Sequence, residues 1–146
     1  MTLCFLGAVD EARLAALCER AGQIQASSFE LLFDGLERWR EARILAATVA
    51  QVPEAGLALA EALANAAREL GLAPDVRAWR PHLTLMRGAT ARRLPEELAG
   101  VASPALQLLL PVSRFYLAQS QELGRQADSA VEPRRYRTLA SWPLRP

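Results

Sequence analysis

The chain of 146 residues holds one histidine, His82, and it stands in the run RPHLTLMRG at residues 80–88. In an extended strand successive side chains point to opposite faces. His82 and Thr84 then share one face and Leu83 and Leu85 the other. The leucines can meet a core while an imidazole and a hydroxyl project together into a cleft. This pair suits phosphate chemistry: imidazole titrates near neutrality and can take or give a proton, and a hydroxyl one step along the same face can hold a phosphoryl oxygen. Arg87 adds a fixed positive charge. It lies an odd number of positions from His82, so a regular strand turns it to the opposite face, and only a bulge or the strand's end brings it round. Trp79 offers a surface for a base and Arg80 a contact for phosphate; packing in the core and ordinary solvation are the structural alternatives for these two.

The run has an echo at the start of the chain, MTLCFLG at residues 1–7. Thr2 and Cys4 fall on one face and Leu3 and Phe5 on the other, in the same threonine-leucine phase, and a glycine follows each copy, Gly7 and Gly88. Aligning Thr2 on Thr84 sets Met1 beside Leu83, and the position opposite His82 falls before Met1.

The elements that must position these residues are legible in part. Asp10 is suited to cap a helix whose apolar face is marked by Leu14, Leu17 and Cys18, up to about Arg20. Residues 27–33 read as a strand closed by Asp34-Gly35, and 42–52 as another. Pro53 and Gly71 bracket an Ala-rich helix, on which Leu57, Leu59, Leu63, Ala67 and Leu70 mark the buried side. Strand 82–87 follows, then a short helix near Pro95–Leu98, and strand-like runs at 106–110, 112–119 and 136–142. Counting the opening run, seven strand-like runs with two substantial helices predict an α+β fold rather than a doubly wound parallel sheet. The length suits a single domain, 1–146.

About half of the residues are hydrophobic and 23% are charged, a globular balance. No run reaches the ~20 apolar residues of a membrane helix, and the apolar start lacks the basic flank of a secretory signal. Cys4 and Cys18 form neither a disulfide framework nor a metal pattern, which points to reduced thiols and a cytoplasmic protein. All 17 basic residues are arginine. Residues 1–76 carry 6 Arg against 11 Asp and Glu, whereas residues 77–146 carry 11 Arg against 5. The basic half contains His82 and favours an anionic partner such as a phosphate or an RNA end, although a solvated surface would look the same.

These motifs resemble those of the RNA 2′,3′-cyclic phosphodiesterases, also called bacterial 2′-5′ RNA ligases, of the two-histidine phosphoesterase superfamily. WRPHLTLMRG (79–88) resembles the family's second motif and MTLCFLGAVDEARL (1–14) its first, from Thr2 onward. SSFELLFDGLERW (27–39) is similar to the strand and turn between the motifs, and RYRTLASWPL (135–144) to the closing strand. The resemblance implies two pseudo-twofold-related lobes of antiparallel sheet, helices on the outer faces and a central cleft. On that plan the strand at His82 lies beside the strand at Thr2, with Thr2 and Thr84 on opposite walls. It further implies metal-free hydrolysis of 2′,3′-cyclic phosphate ends to 2′-phosphomonoesters, without cofactor, and a reverse ligase reaction. His82 would supply one proton transfer, Thr84 and Thr2 the phosphoryl oxygen contacts and Arg87 electrostatic support, with RNA ends or small nucleotides as partners. The family's opening strand, helix and first motif histidine have no counterpart here, so the chain is expected to be N-terminally incomplete and a weak catalyst as it stands. The alternative function is a phosphate- or nucleotide-binding module that keeps half of the site.

Overall fold

The computed structural model describes residues 1–75, 77–89, 106–122 and 134–146. Two helices and seven strands follow in the order α1 (Glu11–Gln23), β1 (Phe29–Phe33), β2 (Gly35–Trp39), β3 (Ile44–Thr48), α2 (Glu54–Glu69), β4 (His82–Arg87), β5 (Leu108–Val112), β6 (Arg114–Glu122) and β7 (Arg134–Pro143). All named strand pairs are antiparallel: β1 with β5, β2–β3–β4 as a three-stranded sheet, and β6 with β7. This is the α+β class expected from the pattern of elements. The short helix expected near Pro95–Leu98 lies outside the described residues.

Both helices end where their local chemistry requires. The Asp10 carboxylate accepts the Arg13 backbone N–H at 2.8 Å, satisfying one of the free donors of the first turn of α1. At the end of α2, Gly71 takes a left-handed φ of 71°; its N–H donates to the Arg68 carbonyl at 2.9 Å and that of Leu72 to the Ala67 carbonyl at 3.0 Å. This pair of bonds is a Schellman closure, and its apolar contact is present, since buried Leu72 and Ala67 cluster with Leu17 of α1. The helix thus fixes its own end and its seat on α1 with the same residues. On α2 the buried stripe is Gly56, Leu59, Ala60, Ala66 and Ala67. Leu57, expected on that stripe, is exposed. Two positions are a 200° rotation on a helix, so Leu57 and Leu59 cannot share a face.

The main core gathers Leu31 and Phe33 of β1, Ala47 of β3, Leu59 of α2, Phe115 of β6 and Leu144 after β7. Two elements depart from the sequence reading. The run 27–33 does not end at Asp34. The chain bends there and continues as β2, which pairs with β3 while β1 pairs with β5. Asp34 secures the bend from both sides: its N–H donates to the Thr48 carbonyl at 3.1 Å, and its carboxylate accepts the Ala50 N–H at 2.9 Å. The opening run, in turn, forms no strand within the described residues. Its links run to the segment ahead of β4: the Trp79 indole donates to the Thr2 carbonyl at 3.0 Å, and the Asp75 N–H to the Phe5 carbonyl at 3.2 Å. The expected alternation fails with it, because Leu3 and Leu6 pack inward while Phe5 is 64% exposed. An isolated extended segment without a ladder partner has nothing to enforce a two-residue period.

Trp79 is seated by Gly56. A Cβ on Gly56 would come within 2.5 Å of Trp79 Cζ3 and 3.1 Å of Phe29 Cε2, and the Trp79 and Phe29 rings meet edge to face with centroids 6.2 Å apart. In a free helix Gly56→Ala would be stabilising by ~0.5–1 kcal/mol. Here overpacking dominates, and the substitution is expected to lower stability by about 1–3 kcal/mol in urea unfolding. A stabilised Gly56→Ala protein would show that the indole is not held against the helix.

Candidate active site

The site is built on one face of the β2–β3–β4 sheet. Its register sets Gly35 opposite Thr48, Glu37 opposite Ala46 and Trp39 opposite Ile44. Across β3, Thr48 faces His82 and Ala46 faces Thr84. Beyond that row the ladder slips. Leu45 and Ala46 are consecutive on β3, yet their partners Met86 and Thr84 are separated by Leu85. Leu85 is therefore the extra residue of a β-bulge, and Ile44 then pairs with Arg87. Directly opposed residues project from the same face, and Thr48, Ala46 and Ile44 alternate onto a single face of β3. The bulge thus brings Arg87 onto the face of His82 and Thr84, despite its odd spacing in the sequence.

The same slip corrects the expectation for the leucines. Leu83, opposite Ala47, packs against the main core as expected. Leu85 is 55% exposed rather than buried, because the bulge leaves it without a partner on β3. The strand expected beside His82 is corrected as well: the ladder neighbour of β4 is β3, not the segment at Thr2.

His82 is oriented by its own chain. Its Nδ1 lies 2.9 Å from the Arg80 carbonyl oxygen. A carbonyl oxygen only accepts, so Nδ1 carries a proton and donates it. In the neutral ring Nε2 then has a free lone pair, able to take a proton, and in the charged ring it has one to give. Pro81, fully buried, biases the residue before it toward an extended conformation, which steadies that carbonyl.

Two residues not singled out in the sequence, Trp39 and Glu37, join Arg80 beside this imidazole. The Trp39 ring centroid lies 4.6 Å from that of His82, with planes tilted by 54°. The Arg80 guanidinium sits 4.8 Å from the Trp39 centroid. Glu37 joins the two: Oε2 accepts from Trp39 Nε1 at 3.0 Å and from Arg80 Nη2 at 2.5 Å. The buried Thr48 side chain also favours the charged form of this carboxylate. Gly35 leaves room for it, since a Cβ there would stand 2.7 Å from Thr48 Oγ1. Partial burial works to raise the Glu37 pKa, but the hydrogen bonds from Trp39 and Arg80, the Arg80 charge and the Thr48 side chain together hold it below its ordinary value. The period-two pattern Gly35, Glu37, Trp39 was the available signal, hidden by reading Asp34-Gly35 as the end of a strand.

The remaining expected residues are placed differently. The Trp79 ring is committed to packing between Gly56 and Phe29. Arg80 is engaged with Glu37. Thr2 is exposed and is tied to the segment before β4 by its main chain rather than its hydroxyl. Half-buried Cys4 has its thiol pKa raised by burial, with Arg68 opposing and Asp75 adding to the shift, which disfavours a reactive thiolate.

Solved structures share this architecture. A crystal structure described as a phosphoesterase matches with a TM-score of 0.81 at 29% identity, over 99% of this chain and 76% of that one. Escherichia coli LigT complexed with 3′-AMP matches with a TM-score of 0.79 at 29% identity, over 98% of this chain and 75% of that one. LigT has also been crystallised with ATP and with NADP+. The fold is that of the LigT phosphoesterases. In sequence, the chain is 30% identical to the RNA 2′,3′-cyclic phosphodiesterase of Escherichia coli K12 over 145 residues, spanning 99% of this chain and 74% of that protein. The 2′-5′ RNA ligase superfamily model matches residues 1–123, and the chain belongs to that family.

The depressed Glu37 pKa has a defined sign. A carboxylate lowered by folding adds stability above its unfolded value, and that stability is lost as pH falls through the folded one. The wild type is therefore expected to exceed Glu37→Gln in urea stability at neutral pH, by a small margin because the pair is partly exposed, and to lose this margin in strong acid. A margin unchanged from neutral pH to strong acid would show that the charge on Glu37 is not what its partners sense.

Proposed function

We propose that this chain acts on 2′,3′-cyclic phosphate ends of RNA, opening them to 2′-phosphomonoesters by metal-independent acid–base chemistry, with joining through a 2′-5′ bond when a 5′-hydroxyl attacks in place of water. The observation that carries this reading is the presentation of His82: Nδ1–H is held by the Arg80 carbonyl, and Nε2 is left for substrate on a sheet face shared with Thr84 and Arg87. Membership of the family and the name of the 30%-identical relative supply the substrate class.

In the reaction the oxygen of water attacks phosphorus and the P–O3′ bond breaks. One proton leaves the water and one reaches O3′. Nε2 of His82 performs one of these transfers, as base when neutral or as acid when charged. The Thr84 hydroxyl donates to a non-bridging oxygen as negative charge builds there, and the Arg87 guanidinium stabilises the same charge. No metal or cofactor takes part in this scheme. The partners are RNA ends or nucleotides of the size crystallised with LigT, and the free thiols of Cys4 and Cys18 fit a reducing, cytoplasmic setting.

One observation favours a second reading. The sequence contains a single histidine, whereas a two-histidine mechanism uses one for each transfer. A site with Thr84, Arg87 and one imidazole could bind a 2′-phosphate without turning over the cyclic ester.

His82→Ala should lower cyclic phosphodiesterase turnover by ~10²-fold or more with an unchanged melting temperature. Affinity for 2′-AMP should fall far less. Arg87→Ala should instead weaken 2′-AMP binding by about tenfold, the scale of one charged hydrogen bond. Near wild-type turnover in folded His82→Ala would overturn the catalytic assignment. Tight 2′-AMP binding by a wild-type chain that leaves the cyclic ester intact would select the binding module.

A further inference from the structure

Glu37 is spent unusually for a carboxylate on a half-open sheet face. Its Oε2 accepts both the Trp39 indole N–H and the Arg80 guanidinium. Exposed ion pairs contribute little to stability, so an arrangement of this kind is better judged by what it holds in place. It holds two things, and both touch His82. The indole, fixed by its N–H, lies 4.6 Å from the imidazole. The arginine, fixed by its guanidinium and laid 4.8 Å from the indole centroid, is the residue whose carbonyl receives the imidazole proton. In the cross-strand row of Glu37, the residue between β2 and β4 is Ala46, fully buried and small.

We infer that Glu37 is a positioning residue for His82, a carboxylate hub that locks Trp39 and Arg80 around the imidazole and thereby fixes its ring orientation and its Nδ1–H tautomer. The inference deepens the catalytic reading and rests on it for its effect on rate, but the tautomer is a property of the folded chain alone. The ring has two routes away from the observed state. It can rotate about its side-chain bonds, which the Trp39 ring opposes by contact. It can also shift its proton to Nε2, which the Arg80 carbonyl opposes by accepting at Nδ1. Removing Glu37 loosens the groups behind both barriers while leaving His82 and its phosphate-binding neighbours chemically intact. The consequence is a ring that spends part of its time with the lone pair turned away from substrate. Small displacements of a proton-transfer group are costly to rate and nearly neutral for binding.

The single histidine makes this directly measurable. In the full 15N-labelled chain one imidazole contributes ring-nitrogen signals, so two-bond 1H–15N correlation at alkaline pH, where imidazole is neutral, reads the tautomer of His82 without assignment. The wild type should show a protonated Nδ1 and a bare Nε2. Glu37→Ala should shift both nitrogens toward the averaged values of an unrestrained imidazole, with kcat lowered about tenfold and KM nearly unchanged. Glu37→Gln, which keeps an acceptor for the indole but not the charge for Arg80, should fall between them. Should Glu37→Ala fail to fold, Trp39→Phe removes the indole N–H while keeping a ring against His82 and must move the same nitrogens in the same direction. A folded Glu37→Ala protein with the wild-type tautomer and wild-type kcat would overturn the inference. If the wild type has no phosphodiesterase turnover, the catalytic reading fails, yet the nitrogen shifts of Glu37→Ala still decide whether the hub positions the ring.

Discussion

The pairing of β4 on β3, with Leu85 left over, is the constraint on which the rest of the site depends. One unpaired residue resets the phase of the strand between Thr84 and Arg87. Before the bulge, side chains at even spacing from His82 share its face; after it, those at odd spacing do. The core is served by the same ladder, because Leu83 still falls opposite Ala47 and packs inward. The strand can therefore satisfy two demands that a regular strand of this sequence could not meet together. It buries Leu83 behind the site and still gathers an imidazole, a hydroxyl and a guanidinium in front of it.

Support for that face comes from separate parts of the chain, each through a local device. Asp34 bends the chain out of the β1–β5 pair and into β2, so that one continuous segment contributes Phe33 to the core and Glu37 and Trp39 to the site. Gly35 leaves room for Thr48, whose Oγ1 would stand 2.7 Å from a Cβ at that position, and the small, buried Ala46 lies between Glu37 and Thr84 in the cross-strand row. Behind the sheet, Leu59 of α2 joins Leu31 and Phe33 in the main core, and the helix is held to length by its Schellman closure at Gly71.

How much of this was legible in the sequence follows from how local each signal is. Asp10 and Gly71 announce helix ends through bonds made within a few residues, and both helices were readable to within a turn. Strand β4, with His82 and Thr84 on one face, was readable because those residues precede the bulge. Leu85 and Arg87 were not, since no glycine or asparagine marks the slip and only the partner strand defines it. Strand β2 was missed because Asp34-Gly35 has turn chemistry and does make a bend, but the chain leaves it into another sheet, a choice set by Thr48 and Ala50 far along the sequence. The opening run failed for a related reason. Apolar alternation is a potential for pairing, and Leu3 and Leu6 pack inward without a ladder while Phe5 stays outside. Glu37 and Trp39 gain significance only from neighbours on β3 and β4.

The bulge at Leu85 also bears on how such chains can change length. Deleting Leu85 would leave the pairs of Thr84 with Ala46 and of the following methionine and arginine with Leu45 and Ile44 free to form as a regular ladder. The arginine would then stand four places after the histidine instead of five, on the same face. Histidine–arginine spacings of four and five in this strand are thus geometrically equivalent, one reached by a plain strand and the other by a bulged one. An insertion or deletion of one residue between threonine and arginine can pass through this strand without dismantling the site, provided that it adds or removes the bulge as a unit.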